Sequence, residues 1–198
     1  MERGLEKMLV GYKTFKQKFA TEDGSLMEHL SVEGQSPEIM MITCSDSRVD
    51  PAVVMQCQPG DLFVVRNVAN ILPPAENHNR GVSSALEYGV CYLNVKELII
   101  MGHTQCGGLA GRLDGSQLAE QDEFISDWVS ILDNPDADTD PDEFAKKALL
   151  QSYANAQTFS WLKERLEQET LTIHLWLFNI KDGTINAYDF EQKQYNTL

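Results

Sequence analysis

Leu5, Met8, Leu9, Tyr12, Phe15 and Phe19 recur at helical spacing, which predicts an amphipathic helix over 1–20. A polar stretch follows, then a shorter helical piece over 26–32. Two apolar runs, ending at Thr43 and at Met101, do not alternate with polar residues. They read as strands buried on both faces, over 38–44 and 97–101. A third strand is expected over 62–66. Asp50-Pro51 marks a turn and a short helix. Val82, Ala85, Leu86, Val90 and Leu93 share one face of a helix over 80–94, and Gly107-Gly108 opens another helical segment.

Further along, Asp140-Pro141-Asp142-Glu143 has the form of a helix start, with Asp140 as N-cap, Pro141 at N1 and Glu143 at N3. That helix is expected to run to about Glu169. Two strands, over 171–178 and 184–190, would be joined by a hairpin around Lys181-Asp182-Gly183. Strands alternating with helical patterns predict an α/β fold, a mainly parallel sheet flanked by helices with edge strands from the C-terminus. One domain is expected over 1–198. Its parts are a helical arm (1–34), a chemical core (35–111), a helical region with an acidic loop (112–170) and the C-terminal strands (171–198).

Composition narrows the partners. The formal net charge is −14, which argues against nucleic acid or an anionic membrane, since both call for a basic face. No apolar run is long enough to cross a bilayer, and the first twenty residues carry charges where a signal peptide would be apolar. A cytoplasmic protein is expected, with the mature form of an organelle protein as the alternative. From 113 to 145 there is no Lys or Arg, against eleven Asp or Glu. This reads as a solvated acidic face. A calcium loop through Asp136, Asp138 and Asp140 fails, because Pro141 stands where the turn glycine belongs and Lys147 where the closing Glu belongs.

The chemistry lies where the two apolar runs end. The first leads into Cys44-Ser45-Asp46-Ser47-Arg48, the second into Gly102-His103-Thr104-Gln105-Cys106-Gly107-Gly108. His103 and Cys106 are three apart, so one turn can present both to one ion, and Cys44 would come from the neighbouring strand. Two thiolates and an imidazole suit zinc, and three protein ligands leave a fourth position open, as in catalytic sites. Zinc lowers the pKa of bound water to about 7. The resulting hydroxide needs an acceptor to aim it. Asp46 suits that part if it stays ionised, and Arg48 is close enough in sequence to hold it. Were that pair broken, Asp46 would be free to swing onto the metal as a fourth ligand, giving an inactive form.

Other readings of these residues are weaker. A Cys44–Cys106 disulfide requires an oxidising compartment. A phosphatase loop places its Arg farther along, with glycines between. Cys57 and Cys91 read as small core residues, and His29, His78 and His174 as surface or structural groups.

Taken together, the chain resembles the β-class carbonic anhydrases. The resemblance runs through Gln35-Ser36-Pro37, the Cys44 to Val49 segment, Gln58-Pro59-Gly60-Asp61, the Phe63 to Asn70 segment, Leu86-Glu87-Tyr88 and the Gly102 to Gly108 segment. It implies reversible hydration of carbon dioxide to bicarbonate and a proton by zinc-bound hydroxide. Zn2+ would be held by Cys44, His103 and Cys106, with Asp46 and Arg48 as the orienting pair. Gln35, Phe63, Val68, Tyr88 and Gly107 match the family's substrate pocket, which forms between two subunits. The N-terminal helix would pack on the partner, so at least a homodimer is implied.

Met41 and Thr43 stand where self-regulated members carry Trp and Gly, which implies the plant-type, open branch. Tyr92 stands where a His is common, and with a reference pKa near 10 it is a poorer proton relay near neutral pH. His174-Leu175-Trp176 replaces a usual His-Gly-Trp. Two alternatives keep the site but change its use: hydrolysis of carbon disulfide or carbonyl sulfide, and a non-catalytic zinc-stabilised scaffold.

Overall fold

A computed structural model describes residues 2–77, 80–114, 123–136 and 138–198. The expected His78 lies outside these residues. Helices α1 (Glu2–Phe19) and α2 (Leu26–Glu33) precede strand β1 (Ile39–Cys44). Then come α3 (Pro51–Val54), β2 (Leu62–Asn67), α4 (Arg80–Glu87), β3 (Glu97–His103), α5 (Gly107–Asp114) and α6 (Glu123–Val129). The chain ends with α7 (Pro141–Ala156), α8 (Ser160–Glu167), β4 (Thr172–Phe178), β5 (Ile185–Asp189) and β6 (Gln194–Thr197).

The strands form one six-stranded sheet in the order β2-β1-β3-β4-β5-β6. β2, β1, β3 and β4 pair in parallel, and β5 and β6 continue the sheet antiparallel. The α/β, mainly parallel architecture expected from the alternating patterns is therefore present. The chain leaves β1 toward β2 on one side and returns to β3 on the other. Cys44 and His103 end these two central strands, at a point where strand order reverses and open α/β sheets place their ligand sites.

Helices cover the sheet. Met40, Ile42, Leu98 and Ile100 are fully buried, each stabilising the fold by roughly 1.5–3 kcal/mol relative to exposure. α1 is different. Leu5, Met8, Leu9, Val10 and Tyr12 on it are all more than half exposed, although their spacing is that of a packing face.

Several boundaries differ from expectation. The long helix expected to Glu169 is two helices, α7 and α8, separated at Gln157–Phe159. Thr158 Oγ1 donates to the Asn155 carbonyl at 2.7 Å and accepts from Ala75 N–H at 2.9 Å, so a tertiary bond competes with helix continuation. The expected 80–94 helix keeps α geometry only to Glu87 and widens to a π turn over Tyr88–Tyr92. There Arg165 Nη1 donates to the Val90 carbonyl at 2.7 Å. Three strands, not two, close the C-terminus, because the chain turns again after β5 to add β6. Cys91, read as a core residue, is exposed on the π turn, and Cys57 is half-buried. The start of α7 is as expected: Asp140 accepts from Asp142 N–H at 2.9 Å and Glu143 N–H at 3.2 Å, with Pro141 at N1.

Candidate metal centre

Cys44, His103 and Cys106 converge where β1 and β3 end, with their donor atoms within 4.8 Å of one another and all three residues buried. The two sulfurs lie 3.9 Å apart, and both thiols are free. A carbonyl only accepts, so the 2.9 Å contact between His103 Nδ1 and the Thr104 carbonyl fixes the proton on Nδ1. That leaves the Nε2 lone pair pointing into the cluster. Nε2 is buried and has no hydrogen-bond partner among the described residues. A buried unpaired imidazole nitrogen facing two sulfurs is costly unless a cation takes it up, so the residues fit a soft-to-borderline metal ion.

Electrostatics within the cluster point the same way. The two sulfurs are within hydrogen-bonding reach and either can be the donor. That mutual contact is the largest influence on both titrations: it holds one thiol of the pair below the ordinary range and, with burial, the other above it. The pair thus keeps one proton between two sulfurs. A dication in its place would hold both thiolates. Burial is the largest single influence on His103 and opposes its protonation, but Cys44, the Thr104 carbonyl and Asp46 together outweigh it and the pKa is raised.

Asp46 lies beside the cluster. Its Oδ2 is 3.9 Å from His103 Nε2. Arg48 holds it with Nε to Oδ1 at 2.9 Å and Nη2 to Oδ2 at 2.7 Å, and Arg48 N–H adds a third bond to Oδ1 at 2.9 Å. These bonds keep the carboxyl well below the usual carboxylate range, Arg48 being the largest cause. Asp46 is therefore an acceptor near neutral pH, and its orientation is set by a planar two-point contact.

Sequence reading missed the brace behind this segment. Arg66 on β2 donates from Nε to the Cys44 carbonyl at 3.0 Å, from Nη2 to the Asp46 carbonyl at 2.8 Å, and from Nη1 to Asp50 Oδ2 at 2.6 Å. The other oxygen of Asp50 caps α3. One guanidinium thus ties down the backbone on both sides of Ser45. The available signal was a charged residue inside the apolar run of β2.

The residues expected to line a pocket separate into two groups. Val68 follows β2 directly, and an added Cβ on Gly108 would meet Val68 Cγ1 at 2.6 Å, so Gly108 packs close to it, while Gly107, next to Cys106, faces open space. Trp128 Nε1 donates to the Val68 carbonyl at 2.7 Å. Val65, Val68, Ile125 and Trp128 line an open groove of about 520 Å³ here. Phe63, in contrast, pairs with Met40, four residues before Cys44, or about 13 Å back along the strand. Tyr88 packs against Phe63 with tilted rings whose centroids are 5.8 Å apart, and Tyr92 stacks on Tyr88 at 5.7 Å. Gln35 is exposed before β1 begins. Gln35, Phe63 and Tyr88 are thus not brought to this chain's own cluster. A cavity of about 670 Å³ lined by Asn94, Lys96 and Arg165 lies at the amino ends of β3 and β4, away from the cluster. His174 pairs with Glu97 at 2.7 Å at the same end, and His29 is exposed.

Residues 39–185 match a family model described as carbonic anhydrase. A carbonic anhydrase of Synechocystis is 34% identical over 93% of this chain and 71% of that protein. One of Synechococcus elongatus is 31% identical over 91% of this chain and 70% of that protein. Among solved structures, the β-carbonic anhydrase CcaA superposes with a TM-score of 0.87 at 32% identity, over 98% of this chain and all of that one. A tetrameric β-carbonic anhydrase of Sordaria macrospora gives 0.73 at 26% identity, over 94% of each chain.

Proposed function

The chain belongs to the β-class carbonic anhydrases and hydrates carbon dioxide reversibly, and we propose that it does so with zinc held by Cys44, His103 and Cys106. The observation that carries the zinc assignment is the buried, unpartnered Nε2 of His103 aimed at two thiols 3.9 Å apart. Bound there, zinc supplies Lewis acidity and makes a water-derived nucleophile available near neutral pH.

The other roles fall to the chain itself. Asp46 accepts a hydrogen bond from the nucleophile and so turns a lone pair toward carbon dioxide. Arg48 keeps the Asp46 carboxylate ionised and directed. This pairing supports an open form in which Asp46 orients the nucleophile instead of ligating the metal. Thr104 holds His103 in the tautomer that presents Nε2. The apolar side chain of Val68 suits a small apolar substrate, and the Gly107 backbone lets it approach closely.

Gln35, Phe63 and Tyr88 complete the pocket from a second copy of the chain. Their position at the far end of the sheet supports this, as do the exposed apolar face of α1 and the tetrameric relative. The active unit is then a homodimer or a larger assembly, with the whole chain acting as one domain. Among the described residues no helix is long and apolar enough to cross a membrane. The free thiols suit a reducing cytoplasm. Elemental analysis of the purified protein tests the ligand set: we expect about one zinc per chain, lost in Cys106→Ser. A metal-free wild type with full hydration activity would overturn it.

A further inference from the structure

We propose that Asp142, at the start of α7, is a positioning residue for the metal centre, acting through the backbone of Gln105. The inference rests on the carbonic anhydrase reading above. Gln105 stands between His103 and Cys106 and has a φ of 56°. For a residue with a side chain this left-handed backbone is unfavourable and persists only where its surroundings over-determine it.

Both backbone groups of Gln105 are taken up. Its N–H donates to Asp142 Oδ1 at 3.2 Å. Its carbonyl accepts from Arg48 Nη2 at 3.2 Å. The same Nη2 donates to Asp46 Oδ2 at 2.7 Å. A continuous path therefore runs from Asp142 through one strained residue to Arg48 and Asp46, and that residue directly precedes Cys106 in the chain. Asp142 is half-buried, and its own N–H is held by the N-cap Asp140 at 2.9 Å. The carboxylate thus has a fixed base from which to hold the turn.

Two roles of Asp142 can be separated by substitution. Its negative charge favours the N-terminus of α7, and both Asp142→Ala and Asp142→Asn remove that charge. The acceptor for Gln105 N–H is lost only in Asp142→Ala, because the Asn side chain still offers Oδ1. A purely structural role predicts that the two variants behave alike. A positioning role predicts that they differ.

The test measures kcat/KM for carbon dioxide hydration and the rate of zinc release to a chelator, on zinc-loaded full-length wild type and both variants. Residues supporting a metal ligand typically matter by 10- to 100-fold. We expect Asp142→Ala to lose about tenfold in kcat/KM and to release zinc about tenfold faster. Asp142→Asn should stay within about threefold of wild type in both. Equal behaviour of the two variants, or wild-type release and kcat/KM in Asp142→Ala, would overturn the proposal. Absence of hydration by zinc-loaded wild type would instead defeat the carbonic anhydrase reading, and zinc release would still decide whether Asp142 holds the turn.

Discussion

Arg48 grips Asp46 at both carboxylate oxygens, with Nε to Oδ1 at 2.9 Å and Nη2 to Oδ2 at 2.7 Å. The contact depends on the planar fork of a guanidinium. A Lys at this position is a point charge that cannot hold both oxygens and the Gln105 carbonyl together. Arg48→Lys is expected to keep its zinc, by elemental analysis, while kcat/KM falls about tenfold. Unchanged kinetics in this variant would mean that charge alone suffices.

The exposed face of α1 gives a prediction about assembly. Leu5, Met8, Leu9 and Tyr12 lie in solvent in the single chain, an apolar patch that marks an interaction surface. Light scattering of the wild type should give a dimer or larger mass. Leu9→Glu together with Tyr12→Glu should shift the mass toward a monomer. Activity should fall with it, because Gln35, Phe63 and Tyr88 would no longer reach another copy's cluster. A fully active monomer would contradict the shared pocket.

Stability at high pH is tied to Tyr195 on β6. Burial raises the phenol above its ordinary value, with Tyr188 and Glu143 adding to the shift. Below pH 10 the phenol is neutral in both folded and unfolded chains and contributes no pH dependence. Above that, the unfolded chain loses the proton while the folded chain retains it. Stability should therefore fall as pH rises past about 10. Tyr195→Phe should flatten this alkaline limb in thermal melts and leave the melting temperature at pH 7 nearly unchanged. An identical alkaline limb in the variant would assign the loss to other groups.

The metal cluster was legible in the sequence for physical reasons. Strands buried on both faces read as continuous apolar runs, and the residues just after them inherit a position at the sheet's carboxyl edge. Cys44, His103 and Cys106 are also residue types with few other reasons to meet. The break between α7 and α8 was not legible, because no Pro or Gly marks it and the Thr158 hydroxyl bond to Ala75 joins residues 83 apart in sequence. β6 was missed because Gln194-Tyr195-Asn196-Thr197 shows no apolar alternation; its pairing partner supplies the order. Arg66 and Asp142 act on backbone groups distant in sequence, and a spacing pattern carries no trace of such contacts. The distance of Phe63 from the cluster follows from the strand register, which single-sequence patterns do not specify.

The account is tested most directly by stopped-flow hydration of carbon dioxide, with zinc quantified on the same samples of wild type and Asp46→Asn. The variant keeps the three ligands and nearly the same shape but loses the ionised acceptor held by Arg48. We predict that wild-type rate scales with zinc content and that Asp46→Asn binds zinc equally yet loses about 100-fold in kcat/KM. Full activity in zinc-free protein, or wild-type rates in zinc-loaded Asp46→Asn, would contradict it.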